Sequence, residues 1–518
     1  MKRLLYLITT FIIILTWSSC RNDFEFSPST GNLTFSKDTV YLDTIFANIG
    51  SSTYNLKVYN NSDEDISIPT IQLSNGENSG YRLNVDGISG KSFENVQLLA
   101  KDSMFVFVET TYNTTTNPLP TTEFLYTDAI EFDSGNNLQK VELVTLVKDA
   151  IFIYPDRDNT TQVIETLTLT VDGEPVETEL QGRELLPEEL TFTNQKPYVI
   201  YGYAAVPAGE TLTIDAGARI HFHANSGLIV QENASLNVNG ALSNDEELLE
   251  NQVIFESDRL EPIYSDVPGQ WGTIWLFENS QNNTINYATI KNGTVGILSD
   301  GNADAVTDKL TITNSQIYNF STFGILGRNT SINAQNIVIN NAGQSSFGAT
   351  LGGKYNVTHS TIANYWSNSF RQFPALLINN FVLDENNTAF LADLTEANFN
   401  NCIIYGNDNP ELIVDEIEDN SVIFNFKLTN CLLRFDNNSG NFSGNNYDFS
   451  NTTHYENIIF NQDPNFRNPS ANDLIIGETS AANNQGNTTF ATQVPNDILG
   501  VNRTASPDLG AYQHVIFE

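Results

Sequence analysis

The 518-residue chain has little cysteine, little methionine and few basic residues. Each shortage excludes something. Three cysteines, Cys20, Cys402 and Cys431, are too few to staple a chain of this length. None forms a Cys-x-x-Cys pair, so neither a structural zinc site nor a dithiol redox motif is supported. Lys plus Arg number 24 against 62 Asp plus Glu, a net charge of −38. Such a surface repels phosphate backbones and excludes nucleic acid as a partner. Long apolar runs are also scarce. The one present, Leu4 to Trp17, is short for a membrane span and suits the core of a secretory signal.

What the chain has in excess is asparagine, about one residue in eight. Asparagine tolerates left-handed backbone and bonds its own main chain, so it suits tight turns. With Thr, Ile and Phe also abundant, the composition argues for an all-β protein.

The N-terminus reads as an address. Lys2 and Arg3 precede the apolar run, which ends in Trp17-Ser18-Ser19-Cys20. Small residues directly before Cys resemble a bacterial lipobox, and the resemblance implies a signal peptide over 1–20 with Cys20 as the lipidated residue. The membrane is then touched through the lipid anchor only. The acids after Cys20, Asp23 and Glu25, resemble the surface-export tags of Bacteroidota-type lipoproteins. The implied location is the outer membrane, on the cell surface.

Residues 21–150 read as short alternating strands. Examples are Thr39-Val40-Tyr41-Leu42, Tyr54-Asn55-Leu56-Lys57-Val58-Tyr59 and Met104-Phe105-Val106-Phe107-Val108. About seven strands separated by turns predict a small β-sandwich. It resembles the Ig-like domains that sit behind lipoprotein signals. Asp38-Thr39-Val40, Asp43-Thr44-Ile45 and Asp102-Ser103-Met104 match a short O-glycosylation pattern of those bacteria, at a length where coincidence is as good a reading. Residues 151–195 are acidic and poorly patterned. They are expected to connect the sandwich to the larger C-terminal body and to cap its first coil.

From 196 to 518 the sequence repeats itself. One phrase recurs around Ile290, Ile317, Ile337, Ile362, Ile403, Leu432 and Ile459, usually with Asn beside it. All but one of the steps fit one coil of a solenoid, which predicts a parallel β-helix with an apolar ladder inside and asparagines stacked at a corner. Leucine-rich horseshoes and β-propellers have other spacings. The step from Ile362 to Ile403 is longer and marks an insertion. Gly269-Gln270-Trp271-Gly272-Thr273-Ile274-Trp275-Leu276 and the closing Pro507-Asp508-Leu509-Gly510-Ala511-Tyr512 resemble a pectin-lyase-like family of secreted proteins. That resemblance implies a right-handed helix and an extracellular setting; it says little of activity.

Several residues are candidates for chemistry. In the insertion, Tyr365, Trp366, Phe370 and Phe373 offer rings for sugar stacking, and Arg371 can pair a uronate carboxylate. A polysaccharide lyase needs a base and a neutralising cation, so Lys354, Tyr355, His359 and Arg371 form a candidate catalytic group, with Asp393 as acidic partner. A glycoside hydrolase needs facing carboxylates; the run Asp415, Glu416, Glu418 and Asp419 reads better as a solvated loop. His221 and His223 share one strand side and lack a third ligand nearby, so they are expected to be exposed and uninvolved. Cys402 and Cys431 fall at the same place in adjacent coils and are expected to stack as buried thiols. No metal site or cofactor is expected, although the acidity leaves Ca²⁺ open.

Three functions remain. The first is a surface protein binding an extracellular polysaccharide or a surface partner. The second is a polysaccharide lyase or glycoside hydrolase. The third is a structural spacer or adhesin.

Overall fold

The computed structural model describes residues 25–171, 173–437 and 440–517. Cys20 and the apolar run before it lie outside these residues. No helix among the described residues is long and apolar enough to cross a membrane.

The chain divides into two compact units, Met1–Asp149 and Ala150–Glu518. In the first, one sheet runs Ser27–Pro28, Ile66–Leu73, Glu123–Phe132, Gln139–Lys148, Thr39–Phe46, with Ser92–Leu98 added on Ile66–Leu73. The second sheet runs Thr34–Phe35, Tyr54–Tyr59, Ser103–Thr110, Tyr81–Val85, Ile88–Gly90. Alternate residues point inward from both. Val40, Val58, Ile68, Val106, Ile130 and Leu143 meet in one sealed core. This two-sheet sandwich is what the alternating pattern implies.

The second unit is a parallel β-helix. Its 27 paired strands run from Ile151–Ile153 to Tyr455–Phe460. Each coil contributes a strand to three faces. The first face begins with Ile151–Ile153 and passes through Arg219–Phe222, Ala288–Lys291 and Thr361–Asn364 to Ile403–Gly406. The second includes Tyr203–Val206, Ile274–Leu276 and Leu412–Asp415. The third includes Thr211–Asp215, Asn283–Asn286 and Leu394–Asn400.

Three expectations are corrected. The helix starts at Ile151, not 196: Ile151–Ile153 pairs in parallel with Tyr198–Ile200, and Thr191–Phe192 with Thr211–Asp215. The acidic stretch between them forms a hairpin, Thr166–Val171 with Glu174–Glu184, whose Leu167, Leu169 and Leu180 pack on Ala205, Ile229 and Trp275. Its sparse apolar residues disguised it. The interior ladder is also shifted. Its members are Ile290, Ile317, Ile339, Ile362, Ile404 and Leu433. Ile403 and Leu432 point the other way, since a one-residue slip reverses every side chain. They stay buried because Ile476, Ala482 and Leu509 of the C-terminal segment cover them. Finally, the long coil holds two insertions: a loop over 365–375 and a small hairpin, Phe381–Leu383 with Ala389–Leu391.

Asparagine marks the corners as expected. Between the third and first faces, Asn314, Asn336, Asn401, Asn430 and Asn457 all adopt left-handed backbone, φ 49 to 54°. Asn336 donates its amide to Asn314 at 2.9 Å, passing the bond along the axis. A second row links Asn341, Asn319 and Asn292. Aromatic residues close the last coil. Phe435 packs on Tyr447 and Phe449, and Phe426 on Tyr455. A solenoid needs such an end cap to shield its open core. Cys402 and Cys431 are free, fully buried thiols, as expected.

Candidate functional site

The insertion does not build the expected site. Arg371 is buried and bonds Glu411 bidentately, at 2.6 and 2.8 Å, and also the carbonyls of Asn364 and Phe373. It is an internal strut of the 365–375 loop and does not reach a uronate. Trp366 is buried with its indole N–H on Ser369, and Tyr365 packs edge-on against Phe466. Only Phe370 and Phe373 are exposed. The rings therefore form no shared platform, because the loop needs its own small core.

The catalytic group is also dispersed. Tyr355 points into the helix core against Phe347, where burial pushes its phenol far above the ordinary range. Lys354 points outward and pairs with Asp308 at 3.1 Å. His359 occupies a slot in the asparagine row, with φ 48° and no exposure. Its ring nitrogens face N–H donors of Asn401 and Arg503. Burial, reinforced by the Arg503 charge, pushes the imidazole down to about 2. Asp393 caps a turn by accepting from the Ile423 amide. Glu416 and Asp419 bond Asn446 and Ser421 within loops.

A different group converges on the outer side of the first face. His221, Glu256, Lys291 and Tyr318 lie in one row across successive coils. Strand stacking sets them about 4.8 Å apart. Lys291 Nζ lies 2.9 Å from Glu256, and His221 Nδ1 lies 3.8 Å from the same carboxylate. The expectation for His221 was wrong: it is buried and also contacts the Ser257 carbonyl at 3.1 Å. His223 is half exposed and bonds Asp258 at 2.7 Å. Only coil stacking brings Glu256 beside His221, so sequence neighbours gave no signal of it.

The row ends in a hollow of about 200 Å³. Gln252, Gln316 and Tyr318 form its floor, Leu242 to Leu249 one wall, and Arg467, Asp473 and Tyr512 the far end. Arg467 pairs with Asp473. Thr289 donates to Gln252 at 2.9 Å, fixing that amide. The far wall is held down by Asn340, which donates to Pro469 and Asn472, and by Asn472, which donates to Asn319. Two further acids stand close by: Glu246 lines the hollow and Asp266 accepts from Asn319.

The electrostatics hold Glu256, Lys291 and Tyr318 each in one protonation state. Burial opposes the charge of Glu256, but His221, Lys291 and Arg219 outweigh it and keep the carboxyl below the ordinary range. Burial likewise opposes the charge of Lys291, and Glu256 overcomes it, so the amine is held above its ordinary value. Burial raises the Tyr318 phenol, with Lys291 opposing less strongly. At neutral pH the row presents a carboxylate, an ammonium and a phenol that keeps its proton. That set donates and accepts hydrogen bonds. Among the described residues no group of three or more His, Cys, Asp or Glu is placed to hold a metal ion.

No family model matches the chain, and no curated protein sequence matches it. Among solved structures, a family 123 glycoside hydrolase from Clostridium perfringens is similar over 23% of this chain and 26% of its own, at 10% identity and a TM-score of 0.15. The E. coli chaperone DraB is similar over 30% of this chain and 82% of its own, at 14% identity and a TM-score of 0.16. The catalytic unit of a GH87 α-1,3-glucanase from Streptomyces thermodiastaticus shares 73% coverage on both sides, at 10% identity and a TM-score of 0.24. Likenesses this distant fix no activity.

Proposed function

We propose that this chain is a lipid-anchored cell-surface protein that binds extracellular glycan, and that the hollow beside Tyr318 takes one neutral or amino sugar. The observation that carries this reading is the walled hollow itself, floored by amides and a phenol and flanked by two fixed ion pairs. Sugar hydroxyls both donate and accept, and are matched by oriented amides and by charged pairs held in place. A volume of about 200 Å³ suits a single ring. Charge favours a sugar without a carboxylate, because Glu246 and Asp266 stand beside the hollow in a chain whose net charge is −38. The protonation states favour binding over catalysis: Lys291 and Tyr318 keep their protons, so neither is ready as a base. Cys20, behind its apolar run, supports the anchor.

The test is calorimetric titration of the protein with neutral, amino and uronic monosaccharides. Binding of a neutral or amino sugar is expected, weakened about tenfold in Tyr318→Ala and in Gln316→Ala. A preference for uronic acids, or binding untouched by both substitutions, refutes the assignment.

A further inference from the structure

The third face carries a groove of a different kind. Along its outer side Asn333, Asn356, Asn398 and Lys427 fall in one row across four coils. Two residues further along each strand, Gln335, Thr358, Asn400, Thr429 and Glu456 form a second row. Residues two apart on a strand share a side, so both rows face out together. The short helix Thr488–Gln493 walls one flank and presents Phe490. The enclosed space is about 560 Å³, nearly three times that of the hollow on the first face.

The chemistry of this lane is unusual for so acidic a chain. Lys427 and Glu456 neutralise one another at 2.6 Å at one end, and the Glu396 carboxylate, two residues before Asn398 on the same side, accepts from Asn356 at 3.0 Å at the edge. The rest is amide and hydroxyl. Asn398 donates to Asn356 at 2.9 Å, which orients both amides. The side chains of Asn333, Gln335 and Asn400 engage no partner among the described residues, yet they are only half exposed. Each amide offers donors and an acceptor, repeated at the coil spacing of about 4.8 Å along one axis and about 6.6 Å across it.

We propose that this groove binds an extended, uncharged polysaccharide strand lying along the helix axis, with Phe490 stacking on a sugar face. A repeated lattice of donors and acceptors suits a repeated ligand, whose successive rings present the same hydroxyls at each step. With Lys427 paired and the Glu396 carboxylate at its edge, the groove selects against uronic or sulfated chains. The inference extends the glycan-binding reading to a second site, and the two fail separately.

The experiment is native gel electrophoresis of the protein through gels containing mixed-linkage β-glucan, galactomannan, soluble starch or polygalacturonate. Retardation by at least one neutral polymer is expected, with none by polygalacturonate. Asn398→Ala and Phe490→Ala are each expected to weaken retardation about tenfold. Gln335→Glu and Asn400→Asp, which keep size and add charge, are expected to abolish it while the unfolding midpoint is unchanged. Tyr318→Ala is expected to leave it intact. Free passage through every neutral gel overturns the proposal. So does retardation insensitive to all four groove variants, or lost only in Tyr318→Ala. Retardation that persists when the hollow binds no monosaccharide supports the groove and removes the pocket reading.

Discussion

Arg503 sets its guanidinium 2.6 Å from Nδ1 of His359, in a corner row whose neighbouring members are asparagines. The same guanidinium donates to the carbonyls of Gly510 and Ala511 and to Asn336. One fully buried cation thus ties the C-terminal segment to the corner of two coils. The segment in turn covers outward-facing Ile403, Leu432 and Val338.

Removing Arg503 is therefore expected to release this segment. Arg503→Ala leaves several buried acceptors unpaired and should cost about 3 kcal/mol. Limited proteolysis should then cut within residues 480–517 before the helix body. His359→Asn keeps a residue suited to left-handed backbone and should cost less than about 1 kcal/mol, whereas the β-branched His359→Val should cost more. Equal proteolysis of parent and Arg503→Ala would show that the apolar contacts alone hold the segment.

The pair Arg371–Glu411 should behave as a buried strut. Arg371→Met strands the carboxylate and is expected to cost about 3–5 kcal/mol in chemical unfolding. Pairing it with Glu411→Leu should recover part of the loss. Burial already holds the Glu411 carboxyl above its ordinary value. A group raised in the folded state favours folding at low pH and loses that advantage as pH rises. The defect of Arg371→Met should accordingly shrink on acidification.

Lys309 gives a pH dependence of opposite sense. Its side chain is buried and its Nζ donates to the carbonyls of Phe277 and Asp300. Burial pushes the amine down to about 7 from an ordinary 10.5. Between those values the unfolded chain binds more protons than the folded one, so stability rises with pH. The rise should begin near pH 7 and be complete by about 10.5. Unfolding curves of the parent and of Lys309→Met should converge or cross over this range; parallel profiles would mean that the lysine stays protonated.

The anchor is tested by metabolic labelling. Cells expressing the full chain should incorporate labelled fatty acid into it, and Cys20→Ala should abolish the label and release the protein from the membrane fraction. Label retained in Cys20→Ala would place the acylation elsewhere.

Much of the solenoid was legible because its signal is repetition. Ile290, Ile317 and Ile362 were read in the correct row, and asparagine was read at the corners. The error at Ile403, Leu432 and Ile459 has a definite cause. There both sides of the first face are covered, so the strands are continuously apolar and alternation no longer reports which side is inside. The candidate site was less legible. His221 and His223 were placed on the correct side of their strand. Glu256, Lys291 and Tyr318 come from other coils, and nothing local marks them as neighbours. The aromatic and basic residues of the insertion looked functional because side-chain type was all that could be read. Arg371 in fact spends its hydrogen bonds inside the loop.

The sequence alone determined that this protein is an all-β solenoid body behind a β-sandwich. Period and turn chemistry are local properties, repeated often enough to be read without contacts. Tertiary structure alone decided where the helix begins, which side chains share the hollow at Tyr318, and which candidates are sealed away. Those outcomes depend on the register between coils and on a C-terminal segment that folds back over them. Register is fixed by the packing of residues far apart in the chain, and that is information no single stretch of sequence carries.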